Sequence, residues 1–211
     1  MQNWSNKLAA KGRRLAIPNL MTYIVVSMGA VFILDLVFAG RLSSLLVFSL
    51  SAIQAGQIWR LISFIVLPPP ASLLFIIFAL YFYYLIGQAL ESSWGAARFT
   101  LFYVTGIAGS IVAGLITGFA TNFYLNLSLF FAFAILFPDF ELRLFFILPV
   151  KVKWLAYLNA AYFLYLLILS SWPQRVALLV ALANIALFFW RSVRDRINNI
   201  RRRRRWKNHF R

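Results

Sequence analysis

The chain has no cysteine and one histidine, His209. Disulfides and thiol chemistry are therefore excluded, as is a metal centre built from several histidines. Acidic side chains are nearly as scarce: Asp35, Glu91, Asp139, Glu141 and Asp195 are the only five in 211 residues. Charged residues of both signs make up 12% of the chain. Soluble domains carry roughly 25%. With 63% hydrophobic residues and a mean hydropathy of +0.81, the solvent for most of this chain is lipid, and a single membrane domain is expected.

Apolar runs and arginine are what the chain has in abundance. Residues 1–17 form a short basic N-terminus with Lys7, Lys11, Arg13 and Arg14. A run from Asn19 to about Ala39 follows. It is too long for the apolar part of a signal peptide, and Val37-Phe38-Ala39-Gly40-Arg41 is a poor cleavage site. It reads as a first transmembrane helix, with Asp35 near its far end, able to reach the interface or pair with Arg41. The segment Gly40–Pro70 is apolar in part but interrupted, and it ends in three prolines. Neither of its apolar pieces reaches the ~20 residues needed to span. It is expected to be a membrane-embedded loop with short helical pieces, packed against protein and anchored by Trp59 and Arg60.

Five further spans are expected at Ser72–Leu90, Phe99–Phe119, Tyr124–Phe137 (short), Val152–Leu169 and Gln174–Trp190. The third span carries Gly106, Ser110, Gly114 and Gly118 at intervals of four, which predicts a small-residue packing face. A polybasic tail over 191–211 includes Arg201, Arg202, Arg203, Arg204 and Arg205. With the N-terminus in the cytoplasm and six spans, the basic residues of both termini, Arg98, Arg143, Lys151 and Lys153 fall inside. Arg41, Arg60 and Arg175 fall outside. That asymmetry predicts both termini cytoplasmic in a multi-pass protein of the cell membrane. The +16 net charge is then a topology signal, with the tail binding anionic lipid headgroups and not nucleic acid.

The junction between spans two and three is Gly87-x-x-Leu90-Glu91-x-x-Trp94-Gly95-x-x-Arg98-Phe99. Glu91 there needs donors, with Arg98 and the first N–H groups of span three nearest in sequence; Gly87 and Gly95 permit tight turns. This junction resembles the signature of the rhomboid superfamily between its second and third helices. Gly56-Gln57-x-Trp59-Arg60-Leu61-Ile62-Ser63 resembles the Trp-Arg motif of the rhomboid first loop. Leu136-Phe137-Pro138-Asp139, followed by Leu148-Pro149-Val150-Lys151-Val152-Lys153-Trp154, resembles the link between helices four and five in rhomboids and Derlin-like relatives. The resemblance implies an all-α bundle of six transmembrane helices with a long embedded loop after the first.

It does not carry the protease chemistry with it. Rhomboid proteases use a serine in Gly-x-Ser-Gly on helix four; here the aligned stretches are Thr121-Asn122-Phe123-Tyr124 or Asn126-Leu127-Ser128-Leu129. Ser128 is the one serine available as a catalytic candidate. The oxyanion pattern His-x-x-x-Asn is replaced by Ser72-Leu73-Leu74-Phe75-Ile76, and the helix-six histidine by Asn184. A serine without a base is a weak nucleophile. The expectation is thus a pseudoprotease without cofactor or metal, which binds transmembrane segments of client proteins. Asn122, Asn126, Ser128, Asn159 and Asn184 are its candidate polar interior. An active protease with degenerate motifs and a lipid or small-molecule handler are the alternatives.

Overall fold

The computed structural model describes residues 16–144 and 148–189. The basic N-terminus up to residue 15 and the tail with Arg201–Arg205 lie outside the described residues. The described chain is mostly helical: α1 Leu20–Val37, α2 Arg41–Leu46, α3 Leu50–Gln54, α4 Arg60–Ser63, a 3-10 turn Phe64–Val66, α5 Leu73–Trp94, α6 Ala96–Thr117, α7 Phe123–Leu136, α8 Val152–Leu169 and α9 Trp172–Phe189. Five of these, α1, α5, α6, α8 and α9, are long and apolar enough to cross a membrane. The protein is therefore a multi-pass membrane protein by length and composition.

Proline sets several boundaries. Pro68–Pro70 supply no backbone N–H, so no helix continues from the 3-10 turn. Pro138 follows the end of α7, where the preceding residue is driven out of helical geometry. Pro173 sits in the first turn of α9, where a missing N–H costs nothing. One element departs from an all-helical bundle. Glu141–Leu144 (β1) and Leu148–Lys151 (β2) pair antiparallel, with Glu141 opposite Lys151 and Leu144 opposite Leu148. Lys153 bonds Asp139 at 2.9 Å beside this hairpin. The hydrogen bond and charge of Lys153 hold the Asp139 carboxyl below its usual range.

α7 is the centre of the bundle. It packs against α5, α6 and α8, and Leu125, Leu129, Ala132 and Phe133 are buried among Phe99, Phe102, Phe64 and Met21 of the main core. A second cluster, Tyr124, Phe163, Ala177, Leu178 and Ala181, joins α7 to α8 and α9. Of the five long helices α8 is covered least, with Trp154, Tyr157, Leu158, Tyr165 and Ile168 all exposed. In a lipid solvent such a face needs no protein partner.

The α5–α6 junction is far shorter than its motif implies. α5 runs through Trp94 and α6 begins at Ala96, so Gly95 alone makes the turn. Its φ of +79° and ψ of 151° lie in a region open essentially to glycine. Gly87 is not a turn residue. It is buried inside α5, where an added Cβ would collide with Cβ and Cγ of Met21 on α1. Glu91 does not pair with Arg98 either. Its Oε1 accepts from the Asn19 N–H at 2.8 Å, because Asn19 opens α1 in a left-handed conformation and leaves that donor free. Gln88 donates to Asn19 Oδ1 and Thr22 Oγ1, and the Thr100 hydroxyl accepts from the Ile17 N–H. The junction is thus a clamp on the entry to α1. Arg98 instead lies 5.5 Å from the centre of the Trp94 ring, within cation–π range.

The Gly40–Pro70 segment holds three short helices and the 3-10 turn, as its broken hydropathy predicts. Arg60, only 8% exposed, ties it together. One Nη donates to the Ser44 and Val47 carbonyls at 2.9 and 2.8 Å, and Nε donates to Gln57 at 2.7 Å. Trp59 is exposed and donates to the Leu45 carbonyl. Asp35 pairs with Ser43, not Arg41. It accepts from both the backbone N–H and the hydroxyl of Ser43, in the first turn of α2, where free N–H groups and the helix dipole favour a carboxylate.

The small residues of α6 do not form one face. Steps of four turn a helix by about 40° each beyond a full turn, so the stripe winds around. Gly106 abuts Leu125 and Asn184, whereas Gly114 abuts Phe48 and Ala120. Ser110 is half-buried between them. Gly118 ends the helix in a left-handed conformation with nothing near it, a cap and not a packing residue. Gly109, outside the spacing, packs against Val180 of α9.

Candidate functional site

The five polar candidates divide by how their hydrogen bonds are used. Asn122, just before α7, donates to the Ile65 and Leu67 carbonyls at 3.0 and 2.7 Å and so fastens the segment between α1 and α5 to the central helix. Asn184 on α9 donates to the Phe102 carbonyl at 3.2 Å and accepts from the Thr105 hydroxyl at 3.0 Å. That joins α9 to α6, with the single Thr105 proton shared among Asn184 Oδ1 and the Leu101 and Phe102 carbonyls. Ser128 is 1% exposed, and its hydroxyl donates to the Leu125 carbonyl at 2.6 Å within α7. This is the back-bonding expected of a serine inside a helix, and it engages the only proton the hydroxyl has. Among the described residues, no three His, Cys, Asp or Glu side chains come together to hold a metal ion.

Asn126 and Asn159 are the pair brought to a common space. They line a cavity of about 260 Å³ between α5, α7 and α8, open on one side. Its walls are Phe78, Ala79 and Phe82 of α5, Phe123, Leu127 and Phe130 of α7, and Leu155 of α8, with Tyr83 beside them. Asn159 donates to the Leu155 carbonyl one turn earlier at 2.9 Å. Asn126 is 3% exposed, and its amide neighbours the Tyr83 hydroxyl. Its Oδ1 is buried without a hydrogen-bond partner among the described residues. The fully buried hydroxyl of Tyr103 on α6 is likewise unpaired.

The α5 wall, Tyr83 and Tyr103 were not singled out from the sequence. Phe78 and Phe82 stand one turn apart, as do Phe123, Asn126 or Leu127, and Phe130, so each set shares a helix face. In helices that are apolar all round, that spacing does not distinguish a wall from a lipid-facing stripe. The site can hold an apolar occupant against aromatic walls and offers it one unfilled acceptor. Among the described residues, no base lies within hydrogen-bond reach of the Ser128 hydroxyl, which bonds the Leu125 carbonyl. Compared with known proteins, the chain matches no family model, no curated protein and no solved structure.

Proposed function

We propose that this chain is a catalytically inactive, rhomboid-like protein of the cell membrane that binds transmembrane segments of other proteins in the α5–α7–α8 groove. The observation that carries the reading is the groove itself: aromatic-walled, open on one side, and holding a buried amide with an unused acceptor. A passing helix gains packing there that lipid chains, which lack a fixed shape, supply less well. The motif order supports the rhomboid-like scaffold. So do the Arg60-bound loop and the short helix at the bundle centre. The engaged Ser128 hydroxyl and the replacement of the family's histidines support the absence of hydrolysis. In this reading α7 is the fourth of six crossings, both termini face the cytoplasm, and the arginine tail sits on anionic headgroups.

A photoreactive residue at Leu155, in the native membrane, tests this. Adducts with membrane-spanning proteins are expected there, are absent at Val26 on the exposed face of α1, and disappear when Ala79→Trp fills the groove. Adducts unaffected by Ala79→Trp, or adducts with lipid alone, overturn the proposal in favour of lipid contact. Cleavage of a transmembrane reporter that Ser128→Ala abolishes overturns the claim of inactivity.

A further inference from the structure

We infer that the groove selects membrane segments that carry an uncharged hydrogen-bond donor side chain at the level of Asn126, whose Oδ1 receives it. The inference rests on the proposal that the groove binds such segments, and it names which ones. Asn126 is buried, faces the cavity, and has no partner for Oδ1 among the described residues. An unpaired acceptor in that position carries its full desolvation cost, and lipid chains have no donor to relieve it. The neighbours do not relieve it either. Tyr83 is engaged with the Asn126 side chain and still leaves Oδ1 without a partner. Asn159 spends its amide nitrogen on the Leu155 carbonyl, and the remaining walls are apolar. An occupant with a donor at this level supplies the missing half of the pair.

The class of donor follows from the lining. Among the described residues no Asp or Glu borders the groove, so a lysine or arginine would enter without a counter-charge. Serine and threonine hydroxyls in a helix are commonly engaged by their own preceding turn. The amides of Gln and Asn keep two N–H donors free to reach across. The expected order of preference is therefore amide, then hydroxyl, then purely apolar, with lysine last.

The chain contains no cysteine, so Leu155→Cys gives a unique thiol in the full-length protein. Reconstituted vesicles would receive synthetic single-span leucine-rich helices, each with one cysteine and one variable residue, Gln, Ser, Leu or Lys, set at the level of Asn126. Disulfide yield is the readout. The Gln helix is expected to exceed the Leu helix by between about threefold and about twentyfold, the range of one interhelical hydrogen bond in a bilayer. Asn126→Leu is expected to erase that ratio, so that the Gln and Leu helices give equal yields. Asn126→Asp, which keeps an acceptor oxygen in place, is expected to retain it. Equal yields from Gln and Leu helices, both above those of Val26→Cys, overturn the inference and leave segment binding standing. Yields no higher than Val26→Cys for any helix overturn both. A preference for Lys, or a Gln preference that survives Asn126→Leu, overturns the inference alone.

Discussion

Two glycines eight residues apart in one motif meet opposite demands. Gly87 is in ordinary helical geometry but has Met21 against it, while Gly95 has open space around it but a backbone closed to other residues. Both alanine variants are expected to lower stability in detergent by about 1–3 kcal/mol, one by overpacking and one by backbone strain. A double-mutant cycle separates the causes. Met21→Ala removes one of the two colliding atoms and is expected to recover part of the Gly87→Ala loss. It is expected to do nothing for Gly95→Ala. Additive behaviour in both cycles would refute the distinction. Glu91 is the third residue of this motif to carry weight. Glu91→Gln keeps an acceptor for the Asn19 N–H, whereas Glu91→Ala leaves that donor without one. Thermal melts are expected to place Ala below Gln by about 1–2 kcal/mol. Equal melting of both variants and the parent would remove the clamp from the account of α1.

At the scale of elements, the long apolar helices were legible because the lipid requirement is crude: about 20 apolar residues in a row. Their ends and partners were less so. Sequence spacing placed Glu91 near Arg98 and Asp35 near Arg41. In the structure both carboxylates serve N–H groups at the starts of helices, α1 and α2, brought close only by folding. The four-residue stripe on α6 misled for a different reason: a helix has 3.6 residues per turn, so a period of four cannot stay on one side over three steps. The groove was invisible for the reason already noted, that its walls are made of the same residues as the lipid-facing surface. The loop between α1 and α5 is where sequence and structure agree most closely, and Arg60 explains why. Its planar fork reaches two carbonyls and Gln57 together. Lysine supplies a charge but not the fork. Arg60→Lys is expected to leave the bundle folded while residues 40–70 become far more sensitive to limited proteolysis. An unchanged digestion pattern would mean that Asn122 and Ser63 hold the loop without it.

For the whole molecule, the open quantity is how many times the chain crosses. Helices α1, α5, α6, α8 and α9 have the length for it, while α7 has 14 residues. At 1.5 Å per residue that is about 21 Å, short of the ~30 Å hydrocarbon core. Two properties favour a crossing all the same. α7 is buried among α5, α6 and α8, so its ends border protein, where irregular backbone is tolerated at membrane depth. The hairpin that follows and the first turn of α8 carry Arg143, Lys151 and Lys153, charges that belong on the cytoplasmic side if the N-terminus is there. If α7 crosses, the α8–α9 turn faces outward like the α1–α5 loop. If it does not, that turn faces the cytoplasm. Single cysteines at Ser51, Ser92 and Ser171, all exposed, decide the matter in a chain that has no thiol of its own. An impermeant maleimide added to intact cells is expected to label Ser51→Cys and Ser171→Cys. Ser92→Cys, at the end of α5, is expected to react only after permeabilisation. Labelling of Ser51→Cys with protection of Ser171→Cys would reduce the bundle to five crossings and send the arginine-rich tail outside. It would also break the charge asymmetry on which the six-crossing topology rests.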